Sequence, residues 1–104
     1  MYTITVEEID PATVRQFRAE IEAAFDAVVD AGEDTLDLDL ARVTFIDSTG
    51  LSALIDAQRS VRRDGLRLRL HHVPPAVARV VELTSLTELF EVVEAAPAPP
   101  EGQR

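Results

Sequence analysis

Apolar residues recur at two spacings along this 104-residue chain, and each change of spacing marks an element boundary. From Thr3 to Ile9 the chain alternates, with Ile4 and Val6 on one side and Thr3 and Thr5 on the other. This pattern predicts a short strand. Asp10 then reads as an N-cap, with Pro11 at the first helical position. Val14, Phe17, Ile21, Ala24/Phe25 and Val28 follow at three- and four-residue intervals, one apolar stripe of a helix that Gly32 stops.

Leu36, Leu38 and Leu40 alternate with Asp37 and Asp39, which predicts a strand over Thr35–Leu40. After a brief turn, Val43 to Ile46 continues the apolar character up to Asp47. A second helix is predicted from about Thr49 to Arg63, with Leu51, Leu54, Ile55, Gln58 and Val61 inward and Asp64-Gly65 ending it. Leu66, Leu68 and Leu70 alternate with Arg67 and Arg69 in a third strand that reaches about His72. Pro74-Pro75 opens a third helix from Ala76 to about Thr84. Leu86 to Val93 closes the fold as a strand or a helix, and the stretch from Ala95 reads as a disordered tail. One domain over residues 1–94 is therefore expected, followed by a tail over 95–104.

Strands alternating with helices predict an α/β fold, a sheet covered by helices with mainly right-handed crossovers. Because the strands alternate rather than being apolar throughout, one sheet face is expected to stay open to water.

Hydrophobic residues make up 46% of the chain, enough for one proper core. The core must come from Leu, Val, Ile and Ala, since there are four Phe, one Tyr and no Trp. No apolar run approaches the roughly 18 residues of a membrane span. The first residues carry no basic leader pattern, and there is no cysteine, so a cytoplasmic protein is expected. The net charge of −9 is uneven. Residues 1–58 hold 13 acids against Arg15, Arg18 and Arg42, whereas residues 59–81 hold six arginines against Asp64. The acidic whole argues against a nucleic-acid partner, because phosphate neutralisation drives most such binding. The arginines Arg59, Arg62, Arg63, Arg67 and Arg69 read either as a solvated helix end and strand face or as a local anion or partner patch.

Catalytic chemistry finds little support. The two histidines, His71 and His72, are adjacent in a strand and are expected to point to opposite faces, so they do not converge on a metal. Ser48-Thr49-Gly50 lacks the Gly-x-x-x-x-Gly-Lys frame of a nucleotide loop, and no Gly-x-Ser-x-Gly elbow is present. No cofactor and no metal are expected, and the chain does not read as an enzyme. A small enzyme using the acidic strand face is the contrasting possibility.

What remains is the joint between the apolar strand and the second helix, where Asp47-Ser48-Thr49-Gly50 places an acid, two hydroxyls and a glycine in series. A strand-to-helix turn aims free N–H groups outward at the positive end of a helix dipole, a setting that accepts phosphate at low cost. Ser48 reads as a helix cap. The series hydroxyl, hydroxyl, glycine also reads as a small exposed platform that a partner's backbone can approach. Gly50 in a first helical turn costs about 0.5–1 kcal/mol relative to Ala, which calls for some use.

At these residues the chain resembles a STAS domain, the fold of the bacterial anti-sigma factor antagonists. Leu36 to Leu51 resembles the family's strand, its V-x-F-(I/M)-D-S-(S/T)-G-L turn and the following helix, and Gly65–Leu70 and Pro75–Leu86 resemble its next strand and third helix. The similarity spans roughly residues 34 to 93. It implies a mixed sheet of about four strands with helices mainly on one face and the N-terminal hairpin shortened. Only Thr3 to Asp10 is available for that hairpin, and Ser85 stands where the family commonly has glycine. An edge of the sheet is then exposed or paired with another chain, giving a monomer or a weak homodimer through that edge.

The resemblance further implies a switch. An anti-sigma factor with serine kinase activity modifies the serine after the aspartate, here Ser48, with Thr49 as second candidate, and a phosphatase reverses it. Asp10, Asp47, Ser48, Thr49, Gly50 and Leu51 are the implied partner-binding residues, with Asp10 matching the family's acid near the turn. No membrane insertion is implied. The alternative is a STAS subunit that does not switch and docks constitutively to a transporter ATPase or another partner complex.

Overall fold

The computed structural model describes residues 1–83 and 91–95. Four strands form one sheet: β1 (Tyr2–Thr3), β3 (Thr35–Asp39), β5 (Arg67–Val73) and β6 (Glu91–Ala95), in the order β1-β3-β5-β6. A second, two-stranded sheet joins β2 (Glu8–Ile9) to β4 (Phe45–Ile46). Every one of these pairings is parallel. The helices are α1 (Val14–Asp30), α2 (Ser48–Arg63) and α3 (Pro75–Leu83). Among the described residues no helix is long and apolar enough to cross a membrane.

The alternating patterns place the core as expected. Phe17, Ile21, Ala24 and Val28 of α1 pack with Leu51, Leu54 and Val61 of α2 over Leu36, Leu38, Leu68 and Leu70 of the sheet. No polar or charged side chain is buried among the described residues. The opposite sheet face carries the half-buried Asp37, Asp39, Arg69 and His71, which is the face left open to water.

Four readings need correction. Thr3–Ile9 is two two-residue strands in different sheets, because Tyr2 and Thr3 pair with Leu38 and Asp39 whereas Glu8 and Ile9 pair with Phe45 and Ile46. Val43 to Ile46 likewise does not extend β3; only Phe45 and Ile46 pair, and they pair with β2. α1 begins at Val14 with Thr13 at its N-cap, later than Asp10 and Pro11 predicted. The Asp10 carboxylate instead closes the preceding turn, accepting from the Ala12 N–H at 2.9 Å and the Thr13 N–H at 3.1 Å.

The fourth correction concerns the histidines. His71 Nε2 lies 2.6 Å from Asp37 Oδ1, and His72 Nδ1 lies 3.2 Å from Asp39 Oδ1, so both rings reach acids on the same face of β3. The cause is backbone: the β5–β6 register shifts on both sides of His71, and His72 sits at φ +54°, in the left-handed region. A bulge of this kind re-aims a side chain that ideal alternation would send to the other face. Asp37 also receives Arg69 Nε at 2.8 Å. Burial alone would raise the Asp37 pKa, but the hydrogen bonds from Arg69 and then His71 outweigh it and hold the carboxyl below its ordinary value.

The closing element is a strand where it is described, Glu91–Ala95. Residues 84–90, including Ser85 and most of the Leu86–Val93 stretch, and residues 96–104 of the predicted tail lie outside the described residues.

Candidate partner-binding turn

The site is built by the small β2–β4 sheet. Ile9 pairs with Ile46, and the Asp47 N–H donates to the Ile9 carbonyl at 3.1 Å. The next residue on each strand is an acid, so the parallel register sets Asp10 beside Asp47. Asp47 has an extended backbone and is the N-cap of α2. Its Oδ1 accepts from the Thr49 N–H at 2.9 Å, the Gly50 N–H at 3.2 Å and the Thr49 hydroxyl at 2.6 Å. The Thr49 hydroxyl first, then the Gly50 and Thr49 N–H groups, hold the Asp47 carboxyl below its ordinary value against a smaller opposing effect of desolvation.

The cap therefore belongs to Asp47, and Ser48 is the first residue of α2 rather than its cap. Asp wins because its carboxylate reaches two N–H groups and a hydroxyl at once, whereas a serine one residue later lies inside the helix. Ser48 is exposed, and its hydroxyl makes no hydrogen bond among the described residues. Thr49 is half-buried, and its hydroxyl is committed to Asp47.

Gly50 is buried. A Cβ there would lie 2.5 Å from Ile9 Cγ2 and 2.6 Å from Ile46 Cγ1. The glycine thus lets the helix start press against the β2–β4 sheet, and its own position faces inward rather than forming an outer platform. Leu51 is also buried, at 5% exposure. Of the six residues named from sequence, Asp10, Asp47, Ser48 and Thr49 come together with accessible surface, while Gly50 and Leu51 support the turn from beneath.

Phe45 was not among those six, yet it is 49% exposed, two residues before the cap. Local alternation gave no signal for it, since it would put Phe45 on the face of the buried Val43; instead Val43 and Ile46 are buried while Thr44 and Phe45 face outward. Chemically, the turn offers at the positive end of a helix one exposed hydroxyl that is unbonded among the described residues, with the Asp47 carboxylate next to it in the chain. Among the described residues no group of three or more His, Cys, Asp or Glu side chains is placed to hold a metal ion.

Residues 6–94 match the profile of the family described as "Mlab, STAS domain". BtrV of Bordetella bronchiseptica, named as a candidate anti-sigma factor antagonist, is 33% identical over 73 residues, which is 70% of this chain and 63% of BtrV. The chain thus spans less than two thirds of that relative's length. Among solved structures, a candidate anti-sigma factor antagonist from Thermotoga maritima, TM1081, superposes with a TM-score of 0.69 at 23% identity, covering 93% of this chain and 78% of that one. The Bacillus cell-fate determinant SpoIIAA in its phosphorylated form gives 0.60 at 22% identity, over 96% of this chain and 83% of SpoIIAA. Profile, relative and fold agree: this chain belongs to the STAS domain family, the family of the anti-sigma factor antagonists it resembles.

Proposed function

We propose that the chain is an anti-sigma factor antagonist that binds an anti-sigma factor with serine kinase activity and is switched off by phosphorylation of Ser48. The observation that carries this reading is the division of labour at the turn. Asp47 holds the helix start, Thr49 is tied to Asp47, and the Ser48 hydroxyl stands exposed with no hydrogen-bond partner among the described residues.

A phosphate there adds about −1.5 to −2 charge and three acceptor oxygens. The helix dipole tolerates that anion within the protein. The nearest N–H groups, however, already bond the Asp47 carboxylate, so the charge stays unneutralised, beside Asp10 and Asp47. A partner docked on this turn would have to desolvate it, and binding is lost without refolding. The antagonist is the kinase's substrate and supplies no catalysis itself. A phosphatase resets the switch, and the work takes place in the cytoplasm.

The test is incubation with ATP and candidate anti-sigma factor kinases, followed by phosphosite mapping by mass spectrometry and binding measurements. Modification at Ser48 with loss of the complex is the expected result. Equal binding by Ser48→Ala and Ser48→Asp would sink the switch and leave a constitutive docking subunit in its place.

A further inference from the structure

α2 turns an exposed ridge to solvent at both its ends, and Ser48 is only its first residue. At about 100° per residue, Ser48, Ser52, Arg59, Arg62 and Arg63 fall on one side of the helix. All five are exposed, with the half-buried Ile55 and the exposed Asp56 between Ser52 and Arg59, while Gly50, Ala53, Leu54, Ala57 and Val61 fill the opposite side and Leu51 is buried at the ridge's edge. The first half of the ridge carries two small hydroxyls and the second half three guanidiniums. From Ser48 to Arg63 it runs about 22 Å, at about 1.5 Å per residue.

The arginines cluster in an otherwise acidic chain. The chain carries 19 acids and a net charge of −9. Arg18, Arg67 and Arg69 each find one, in pairs with Asp56, Glu91 and Asp37. Among the described residues Arg59, Arg62 and Arg63 make no ion pair; neither do Arg15, Arg42 and Arg79, but only the first three lie together on one helix. Asp56, one turn before Arg59, is already bonded to Arg18 at 2.9 Å. Like charges three and four residues apart destabilise a helix slightly, and the helix dipole favours only the two in the last turn. Three clustered cations, unpaired among the described residues, are therefore a surface poised for an external anion.

We propose that Arg59, Arg62 and Arg63 anchor an acidic segment of the same protein partner that meets Ser48, so that the partner lies lengthwise along α2. This rests on the reading of Ser48 as the partner-facing end of the helix. The two ends do different things. The arginines steer and hold the partner through charge, raising the association rate, while the Ser48 end decides whether the complex closes. A protein segment fits better than an anionic membrane or a nucleic acid, because a broad polyanion would also face the acidic surface of residues 1–58.

The experiment compares the full chain with the triple variant Arg59→Ser/Arg62→Ser/Arg63→Ser. Unchanged thermal unfolding of the variant checks its fold, since all three residues are exposed. Binding kinetics are measured against purified candidate anti-sigma factor kinases over a salt series, with Ser48→Asp alongside. The anchor predicts roughly a tenfold slower association for the triple variant at low salt, with a flatter salt dependence.

If Ser48→Asp abolishes binding while the triple variant binds like wild type, the anchor is overturned and the switch survives. If the triple variant is weakened while Ser48→Asp binds normally, the switch fails and the anchor stands. Should none of the kinases bind, the same chain, 15N-labelled, is titrated with a 14-residue synthetic peptide alternating Glu and Ala. Shifts confined to Arg59, Arg62 and Arg63 support the anchor, and absent or dispersed shifts overturn it. Arginine-dependent co-sedimentation with phosphatidylglycerol vesicles, or self-association lost in the triple variant, would also overturn it, by assigning the ridge to a membrane or to a second copy.

Discussion

Asp47 Oδ1 takes the Thr49 hydroxyl at 2.6 Å while also accepting the Thr49 N–H at 2.9 Å, so residue 49 is locked to the cap and residue 48 is not. This one relationship separates two neighbouring hydroxyls that look equivalent in sequence. A kinase acting on the turn is expected to modify Ser48 in the wild type and to leave Thr49 unmodified in Ser48→Ala. Tandem mass spectrometry of both proteins after the reaction distinguishes the sites.

The cap also sets a pH dependence. Because the folded protein holds Asp47 below the ordinary carboxylate value of 3.8, protonation favours the unfolded chain. The stability contributed by the charged cap is fully present above 3.8 and is lost as pH falls through the depressed folded value. Urea midpoints for wild type and Asp47→Ala should therefore differ clearly at neutral pH and converge in strong acid. Asp47→Ser, which keeps an acceptor, should fall between the two at neutral pH.

Gly50→Ala tests two opposed effects. Intrinsic helix propensity would favour Ala by up to about 1 kcal/mol. The new Cβ, however, lies 2.5 Å from Ile9 Cγ2 and 2.6 Å from Ile46 Cγ1, both on β-branched side chains that are stiff at χ1. Overpacking costs about 1–3 kcal/mol and wins, so thermal unfolding should show a net loss of about 1–2 kcal/mol.

Phe45 is half-exposed on a two-residue strand, so its truncation removes little packing inside the protein. Phe45→Ser should leave folding stability within about 0.5 kcal/mol of wild type. If the aromatic ring is part of the docking surface, the same variant should lose about 1 kcal/mol or more of binding to the proposed anti-sigma factor partner. Calorimetric titration beside thermal unfolding separates the two effects.

His72 is the one described non-glycine residue with positive φ, at +54°. Left-handed backbone costs an ordinary residue roughly 1–2 kcal/mol, and a β-branched residue suffers most. His72→Gly should therefore unfold at the same temperature as wild type or higher, whereas His72→Val should unfold lower, in matched thermal melts.

The elements that follow from local periodicity were legible in the sequence. Phe17, Ile21, Ala24 and Val28 are buried on α1, and Leu36, Leu38, Leu68 and Leu70 are buried in the sheet, as their spacing requires. What escaped was non-local. Nothing between Thr3 and Ile9 announces that Tyr2 will pair with Leu38 and Ile9 with Ile46, because that division depends on strands about 36 residues away. The bulge at His72 is equally silent, since its signature is a backbone angle rather than a residue type. At the candidate site, the Asp-Ser-Thr-Gly series marked the strand-to-helix joint, but which residue caps it depended on geometry. The role of Gly50 depended on Ile9, which only the fold brings to it.

The register slips between β5 and β6 have a consequence for assembly. β6 is an outer strand of the main sheet, and Val92 and Val93 on it are 44% and 48% exposed. Such an edge invites a neighbouring chain to add a strand, which needs a straight, evenly spaced row of backbone groups. The slips at Leu70/His71 and His71/Val73 twist the border out of that spacing. At this border of the described sheet a strand added by a second copy would meet an interrupted register.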